Sequence, residues 1–330
     1  MKALVTGATG FVGSAVARHL VRAGHHVKVL ARPEGNRSNL ADLDVEISEG
    51  DLNDIDSLEH ACAHCDALFH VAADYRLWTR HPAAMRDTNV QGTRRLMRAA
   101  MGANIQRIVY TSSVATLGIL PGTAVSDEDT PVAYDQMIGV YKQSKFMAEV
   151  EVSKMITEDG LPAIIVNPST PVGSHDIKPT PTGRMIVEAA SGKMPAFVDT
   201  GLNIVHVDDV AEGHLLAFQH GEIGARYVLG GEDMTLQQIL AQIAEITGRT
   251  APKIRIPHNV VLPIAYMAEA WTRMTGGEEP FVTVDGVRMA KKKMYFSSER
   301  AKSILGYNPR LPRAAFEEAI TWFGNNGYIC

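Results

Sequence analysis

The amino-acid sequence predicts an α/β protein with a doubly wound parallel sheet and a smaller mixed α/β C-terminal lobe. Short apolar runs alternate with helical patterns through the first half of the 330 residues, as in parallel sheets covered by helices. The runs are aliphatic or β-branched throughout, which suits strands that are buried on both faces. A glycine-rich loop at residues 7–13 joins the first run to the first helical pattern, where the chain must turn tightly. These three observations define the fold class.

The first part of the chain supplies the strands and helices of this sheet. The predicted strands are 3–6, 26–30, 46–49, 67–71, 107–111 and 163–166. The predicted helices are 12–23, 82–101 and 140–157. Gly24 is a suitable stop for the first helix. Residues 1–167 are therefore assigned to a Rossmann domain.

After about Asn167 the pattern changes, because prolines and glycines become frequent and indicate a loop-rich segment. The predicted helices here are 183–191, 207–218, 236–247, 260–274 and 312–323. A strand at residues 226–229 is expected to return to the main sheet, so the two parts are interleaved. Residues 168–330 are assigned to a substrate-binding lobe. The apolar stretch at 260–271 is interpreted as core or subunit contact, or as a face for an apolar, terpenoid-like substrate.

Charge and hydropathy exclude several classes of protein. The net charge is −5, and the only compact basic run is Lys291-Lys292-Lys293, so we expect no nucleic-acid partner. No stretch approaches the roughly 18 apolar residues of a membrane span. The N-terminus lacks the apolar region of a signal peptide. The sequence therefore predicts a cytoplasmic protein without a membrane span.

The cysteines give no sign of a disulfide framework or a metal site. The chain has three, Cys62, Cys65 and Cys330, and an odd, low count is typical of a reducing compartment. Cys62 and Cys65 have His60 and His64 beside them, but no second ligand pair with zinc spacing follows. Small buried thiols explain the pair better, and no metal is predicted.

The loop Thr6-Gly7-Ala8-Thr9-Gly10-Phe11-Val12-Gly13 follows the first strand and begins the first helix. In that position Gly7 allows the turn, Gly10 lets the backbone approach a pyrophosphate, and Gly13 lets the helix pack on the strand. Free N–H groups at the start of the helix would bind the phosphates, with Thr9, Phe11 and Val12 in the same loop. A glycine-rich turn without a ligand is the alternative. The order strand, loop, helix favours a dinucleotide site.

The end of the second strand indicates which dinucleotide is bound. NAD-specific sites usually carry an acidic residue there, whereas this strand ends at Arg32, with Arg37 shortly after. A guanidinium suits the 2′-phosphate of NADP(H) by its charge and its forked donors. NADP(H) is therefore favoured. The alternative is NAD(H), with Glu34 on the ribose hydroxyls and the arginines merely exposed.

Two further strand ends are expected to contact the cofactor. Asp51 and Leu52 follow the third strand, where the adenine would lie. Ala72 and Ala73 follow the fourth strand, and their small side chains let the backbone pass close to the cofactor. Both assignments depend on the order of strands in the sheet.

A catalytic group is predicted on the helix at 140–157. Tyr141 and Lys145 are four residues apart and therefore lie on one face of it. The lysine ammonium and the positive nicotinamide are expected to lower the pKa of the phenol, which would make it an acid/base. Ser113, at the end of the fifth strand, would hydrogen-bond the substrate oxygen, with Ser112 as the alternative. Asn89 would tie its helix to the site.

These motifs resemble those of the extended short-chain dehydrogenase/reductase family, in the same order through nearly the whole chain. They comprise residues 6–13, 50–52, 70–73, 89–93, 111–113, 141–145, 205–211 and 305–309. The resemblance implies Ser113, Tyr141 and Lys145 as the catalytic triad. It also implies that Thr111, Asn89 and Pro168 contact the cofactor and that the protein forms a homodimer through two helices, one of them 140–157.

Further stretches resemble the branch of dihydroflavonol reductase-like proteins and hopanoid-associated sugar epimerases. They are residues 72–78 and 166–173. Within motif 205–211 the resemblance places Asp208 and Asp209 at a helix start, where capping is a better explanation than catalysis. His206 would be a structural histidine or face the substrate.

Three functions remain from the sequence. The leading one is an NADP(H)-dependent reductase or dehydrogenase for a small sugar-like or terpenoid-linked substrate. The second is a sugar epimerase associated with hopanoid biosynthesis, which would retain its NAD(P). The third is a non-catalytic sensor of NADP, although such proteins tend to lack the tyrosine and lysine. Substrate contacts are expected from residues 75–78, 117–121 and the loop after Pro168, with Arg76, Lys178 and Arg184 available for an anionic group.

Overall fold

The computed structural model describes residues 1–277 and 280–329, which form two sheets and a two-stranded ribbon with helices around them. The strands are β1 (Lys2–Thr6), β2 (His26–Ala31), β3 (Glu46–Glu49), β4 (Ala67–His70), β5 (Arg107–Thr111), β6 (Ala163–Pro168), β7 (Thr170–Val172), β8 (Ala196–Phe197), β9 (Gly201–His206), β10 (Arg226–Leu229), β11 (Glu232–Thr235), β12 (Ile254–Arg255) and β13 (Lys293–Met294). The α-helices are α1 (Phe11–Arg22), α2 (Ile55–Cys62), α3 (Pro82–Arg86), α4 (Thr93–Gly102), α5 (Gly139–Asp159), α6 (Pro181–Ala190), α7 (Val207–His220), α8 (Leu236–Thr247), α9 (His258–Thr275), α10 (Val284–Ala290) and α11 (Pro312–Asn325).

The main sheet has seven parallel strands in the order β10-β6-β5-β4-β1-β2-β3. Helices α1 and α7 pack on one face, and α2, α4 and α5 pack on the other. The strands are buried on both sides; every residue of β6, for example, is buried. The predicted doubly wound parallel sheet is confirmed. Strand order reverses between β1 and β4, and ligands bind at such a point beyond the carboxyl ends of the strands.

The helical pattern predicted at 82–101 is not one regular α-helix. Helix α3 ends at Arg86, residues Asp87–Gly92 form a π-helical segment, and α4 begins at Thr93. A π-helical turn holds an extra residue, and such turns are frequent at functional sites. Hydrophobic spacing cannot distinguish this insertion from a regular helix. The segment carries Asn89.

A second sheet lies in the C-terminal lobe, around β9. Strands β7 and β13 pair with it in parallel, and β11 pairs with it antiparallel. Helices α6, α8 and α11 bury their apolar side chains in a separate core that includes Val172 and Ile204. Strand β8 pairs with β12 as a separate ribbon. Strand β10 leaves this lobe and pairs with β6, so the chain crosses back to the main sheet.

Helix α9 does not place its apolar stripe in the core. Val260, Ile264, Met267, Trp271 and Met274 share one face, and their exposed fractions run from 41% to 83%. The buried side of the helix consists of small residues that pack near α10. The interpretation of this stretch as core is therefore wrong for the exposed stripe, whereas Ala265 and Ala268 are buried and Val261 and Leu262 pack against the α10 cluster. None of the helices in the described ranges is both long and apolar enough to cross a bilayer.

Candidate active site

The loop between β1 and α1 is shaped by two glycines. Gly7 has φ +75°, and a Cβ there would lie 2.7 Å from the main-chain nitrogen of Ala72. A Cβ on Gly13 would lie 2.1 Å from the carbonyl oxygen of Gly7. Both distances are far below contact, so any larger residue would push apart β1, α1 and the end of β4. The loop geometry therefore requires glycine at both positions.

Gly10 has a different environment, and it fits a phosphate. It is the N-cap of α1, has no side chain to cap the helix, and an added Cβ would meet only the Gly7 carbonyl oxygen at 3.3 Å. The N–H groups of Phe11 and Val12, in the first turn, have no acceptor within the helix. The Thr9 carbonyl accepts a bond from Asn39 at 3.3 Å, which holds the loop in place. This end of α1 is suited to the pyrophosphate of a dinucleotide.

The two arginines after β2 differ in their partners. Arg37 donates to Glu49 over 2.6 Å, and its guanidinium also reaches the carbonyl oxygen of Arg32. Arg32 is exposed and forms no ion pair within residues 1–277 and 280–329. The structure therefore leaves Arg32 available for a phosphate, whereas a phosphate at Arg37 would compete with Glu49.

The ends of β3 and β4 lie close to the glycine loop. Asp51 accepts a bond from the Asn53 amide at 2.9 Å, which shapes the turn after β3. Leu52 is buried against Gly92. The Ala72 amide donates to the Thr6 hydroxyl, so the chain after β4 is held against the end of β1, and Ala73 is exposed beyond it. Leu52 thus supports packing, and Asp51 and the two alanines remain open to a ligand.

The Ser113 hydroxyl lies near the Tyr141 phenol and acts on its pKa as a hydrogen-bonding neighbour. Tyr141 is half-buried near the start of α5, and the ring of Tyr75 meets its ring edge-on at 4.7 Å between centroids. Burial and Tyr75 raise the pKa of Tyr141 above its usual value, and Ser113 lowers it only in part. Lys145 is not among the groups of the protein that lower the pKa of Tyr141, so that expectation is wrong. Within the described part of the protein, only Ser113 opposes the rise, and the charge of a bound nicotinamide would add to its effect.

Lys145 is directed toward the end of β5 rather than toward the phenol. Its ammonium donates to the Thr111 carbonyl over 2.8 Å and to the Tyr110 hydroxyl over 3.3 Å. Burial lowers the pKa of Lys145 to about 8, and Glu149 partly offsets this effect. The Thr111 hydroxyl is hydrogen-bonded to His214, so Thr111 binds Lys145 only through its main-chain carbonyl. Lys145 lies one helical turn from Tyr141. Its ammonium has three N–H groups, so one remains after the bonds to Thr111 and Tyr110.

The two serines after β5 have different roles. Ser113 caps a short 3₁₀ turn at Val114–Thr116 and also reaches Tyr141. Ser112 is buried, and its hydroxyl has no partner among the described residues, as is also true of the Ser169 hydroxyl. Buried polar groups are normally paired. The orphaned hydroxyls lie just beyond β5 and Pro168, at the same sheet edge, where a nicotinamide and its ribose would offer partners.

Asn89 is used entirely by the protein. Its amide nitrogen donates to the Ser144 hydroxyl at 2.9 Å and to the Asp74 carbonyl at 3.1 Å. Its oxygen accepts from the Asp74 amide at 2.7 Å. Asn89 therefore does not offer its side chain to the cofactor, which corrects that prediction. It ties the π-helical segment to α5 and to the loop after β4, as expected for the structural role.

Sequence reasoning missed a buried hydrogen-bond chain around His70. Its ring contacts the Thr6 hydroxyl at 2.8 Å and the Thr93 hydroxyl at 2.9 Å, and Thr93 donates to the Asn89 carbonyl. Burial lowers the pKa of His70 to about 3. The ring is therefore neutral. The chain runs from the glycine-loop strand to the Asn89 segment, and no local sequence pattern signals contacts of such long range.

His206 is structural and does not face a substrate. It caps α7 by accepting the Asp208 amide, and its other ring nitrogen lies 3.1 Å from Glu318. Asp208 and Asp209 lie in the first turn of α7, so their predicted place at a helix start is confirmed, whereas the capping residue itself is His206. Asp209 is buried, and its carboxylate accepts hydrogen bonds from the main-chain N–H and from the guanidinium of Arg310. These bonds join β9 and α7 to the C-terminal segment.

The side chains of His206, Asp208 and Glu318 resemble a metal-ligand group in spacing, since their ligand atoms lie within 4.8 Å of one another. Both ring nitrogens of His206 are already engaged, and the Arg310 guanidinium lies 3.3 Å from one of them. The positive charge of Arg310 would repel a metal ion at this position. Cys62 and Cys65, the other metal candidates, are buried thiols, and burial raises the pKa of Cys62 to about 12.

The residues expected to hold an anionic group lie on separate segments of the chain: after β4, after β7 and on α6. Arg76 pairs with Asp74 in its own loop, and Lys178 is exposed. Arg184 lies on α6, where its charge acts on the buried carboxyl of Asp176. Pro168 is the last residue of β6 and is buried opposite β10.

Known proteins resemble this chain over its full length. A sequence model of the NAD dependent epimerase/dehydratase family matches residues 3–230. A candidate dihydroflavonol 4-reductase of Synechocystis sp. is 43% identical over 98% of this chain and 95% of that protein. Sterol demethylase protein B of Methylococcus capsulatus is 34% identical over 100% of both chains. The crystal structure of gox2253 is 52% identical, with a TM-score of 0.90 over 99% of each chain.

Proposed function

Because the chain belongs to the NAD dependent epimerase/dehydratase family, we propose that it is an NADP(H)-dependent oxidoreductase that reduces a carbonyl group. The observation that carries the proposal is that the Ser113 hydroxyl lies near the Tyr141 phenol at the sheet edge where Lys145 is buried. Two hydroxyl groups there can bind one carbonyl oxygen. The bound cofactor supplies a hydride to the carbonyl carbon.

The protein groups supply the proton and the orientation. Ser113 holds the substrate oxygen beside Tyr141, and the Tyr141 hydroxyl donates its proton to that oxygen. A raised pKa keeps Tyr141 protonated near neutral pH, which suits a proton donor and hence the reductive direction. Lys145, anchored on the Thr111 carbonyl, supplies N–H groups for the nicotinamide ribose and helps to replace the lost proton.

The preference for NADP(H) depends on Arg32. Its guanidinium lies after β2, is exposed, and forms no ion pair in the described parts of the chain. Glu49, the nearest acidic residue on β3, is already paired with Arg37 and is not free to bind ribose hydroxyls. A 2′-phosphate would give Arg32 the counter-charge that it lacks.

The name of one relative supports a substrate class for this proposal. Sterol demethylase protein B is named for sterol chemistry and aligns with this chain from end to end. This supports a carbonyl on a terpenoid-linked compound rather than a nucleotide sugar. A sugar epimerase remains the second candidate, since the family description includes that activity.

The test is mass spectrometry of the cofactor released from freshly purified protein, together with NADPH and NADH titrations. Exchangeable NADPH binding, tighter than NADH binding, supports a reductase and justifies screening carbonyl compounds by NADPH absorbance. NAD that survives dialysis moves the epimerase to first place. Selective NADPH binding without turnover of any carbonyl compound supports a non-catalytic sensor instead.

The same proposal includes a homodimer through α5. Met147 and Val150 on this helix are exposed, at 39% and 53%, although both are apolar. They are three residues apart and therefore adjacent on the helix surface. An interface would remove this apolar surface from water.

A further inference from the structure

A cavity of about 130 Å³ lies beside the candidate active site, separate from the glycine loop. Its walls come from the chain after Ser113, from the segment that leads into α5, and from the end of α10. Most of the lining residues are apolar by type, including Leu117, Ile138 and Met289. The cavity also receives two basic side chains, Lys142 and Lys292. An apolar lining with two cations is unusual for a packing defect.

Lys142 is buried without a counter-charge. It is only 9% exposed, and its ammonium contacts the Met294 sulfur at 3.9 Å. A thioether is a weak acceptor, and an ammonium has three donors. Within residues 1–277 and 280–329, no carboxylate lies at ion-pair distance from Lys142. Buried charges are normally paired, so Lys142 lacks a partner of negative charge.

Lys292 adds a second positive charge at the same cavity. It is exposed, whereas Lys142 is buried, and both residues line the cavity. Burial, and then the charge of Lys292, lower the pKa of Lys142 to about 8. The two lysines repel each other in the protein alone, and a negative group between them would relieve that repulsion.

We propose that this cavity binds a small carboxylate with a short aliphatic chain. Lys142 and Lys292 would hold the carboxylate, and the aliphatic chain would lie against Leu117 and Ile138. A phosphate fits less well, because it has oxygens on every side and some of them would lie against apolar walls without a donor. The binding itself does not depend on the reaction proposed above.

The position of the cavity connects the bound carboxylate to that reaction. Lys142 directly follows Tyr141, and Ala115, another lining residue, is two positions after Ser113. A substrate whose carbonyl oxygen lies between Ser113 and Tyr141 would therefore place a nearby carboxylate in the cavity. That the carboxylate belongs to the substrate rests on the proposed function.

The test is isothermal titration of the full-length protein with butanoate, in the wild type and in Lys142→Met, Lys142→Arg and Lys292→Met. Lys142→Met keeps the length of the side chain and removes its charge. We expect one butanoate per chain, and affinity about tenfold to hundredfold lower in Lys142→Met, the range for losing a charged hydrogen bond. Lys142→Arg should retain most of the affinity. Lys154→Met, an exposed lysine on α5, is the matched control and should bind as the wild type does.

Two results would overturn the proposal: no butanoate binding to the wild type, or equal affinity in the wild type, Lys142→Met and Lys292→Met. Because Lys292 is exposed, Lys292→Met should fold, and it tests the proposal even if Lys142→Met does not fold. Inorganic phosphate and butan-1-ol are titrated alongside. Phosphate that binds more tightly than butanoate overturns the carboxylate assignment, and equal binding of the alcohol overturns the role of charge.

A second arm separates this proposal from the proposed function. Butanoate should inhibit carbonyl reduction competitively with the carbonyl compound if the cavity holds part of the substrate. Binding with non-competitive inhibition, or without inhibition, rejects the substrate assignment and leaves the carboxylate site. A protein that binds butanoate but reduces no carbonyl compound refutes the proposed function alone.

Discussion

The side-chain amide of Asn167 donates a hydrogen bond to the main-chain carbonyl of Ser113 over 3.1 Å. The same nitrogen lies 2.9 Å from a carboxylate oxygen of Glu149, which also accepts the Thr116 hydroxyl at 2.8 Å. Strand β6 and helix α5 therefore hold the turn that carries Ser113 from two sides. The position of the Ser113 hydroxyl depends on residues that do not touch the substrate.

Replacing Asn167 by Leu should impair turnover more than cofactor binding. The change removes the bond to Ser113 and leaves the Glu149 carboxylate short of a donor, so the turn should shift. A small misplacement of a reacting group costs about tenfold to hundredfold in rate. Steady-state kinetics and NADPH titration measure the two effects separately. Glu149→Gln, which retains an acceptor oxygen, is the control and should keep most activity; unchanged kcat in Asn167→Leu contradicts the positioning role.

Tyr141→Phe should abolish most carbonyl reduction while NADPH binding is retained. The hydroxyl is the proposed proton donor, and general acid catalysis contributes about 10²–10⁴-fold to rates. Kinetics with a carbonyl substrate and NADPH titration provide the measurement. Tyr134→Phe, at an exposed tyrosine, should behave as the wild type. Full activity in Tyr141→Phe on a true substrate would refute the mechanism.

The sequence predicted the main sheet well because its signals are local. Apolar runs identified β1–β6 and β10 to within about two residues, and the loop from Gly7 to Gly13 fixed where α1 begins. The spacing of Tyr141 and Lys145 predicted a shared helix face. Strands such as β8 and β12 have two residues each, too short for any periodic pattern, and the eight-residue α2 was also missed.

The details of the candidate site depended on long-range contacts. His70 meets Thr6 across 64 positions of the chain, and Asn167 meets Ser113 across 54. No residue pattern indicated that Lys145 would bind the Thr111 carbonyl or that burial would raise the pKa of Tyr141. Such contacts depend on which strands become neighbours, and that follows from the topology rather than from local residue types.

Arg32→Gln should weaken NADPH binding by about tenfold to hundredfold, the range for a hydrogen bond to a charged group, and leave NADH binding nearly unchanged. The 2′-phosphate is absent from NADH, so only NADPH loses a contact. Fluorescence titration of both cofactors measures the ratio. Arg37→Gln should have a smaller effect, because Arg37 is paired with Glu49. Equal loss of both cofactors in Arg32→Gln would argue against recognition of the 2′-phosphate.

The protein should lose stability as the pH falls below about 6.5. Burial lowers the pKa of His70 to about 3 and that of His214 to about 4, whereas the unfolded chain takes up these protons near the usual value. The unfolded state then binds more protons than the folded state. The contribution of these two histidines is therefore constant above that pH and falls below it, by about 1.4 kcal/mol per pH unit for each histidine.

Urea unfolding at a series of pH values measures this loss. His70→Gln keeps one donor and one acceptor and should reduce the slope by about half. His220→Gln, at an exposed histidine, is the control and should leave the slope unchanged. An unchanged slope in His70→Gln would show that the acid sensitivity has another origin.

Val150→Glu should convert the proposed dimer into monomers. The new carboxylate on the exposed apolar face of α5 would be buried without a partner in an interface, which is strongly unfavourable. Light scattering after size exclusion should give twice the 35.8 kDa chain mass for the wild type and the single mass for the variant. Met267→Glu, on the equally exposed stripe of α9, is the control and should remain dimeric. A monomeric Met267→Glu with a dimeric Val150→Glu would move the interface from α5 to α9, and a monomeric wild type would reject the dimer.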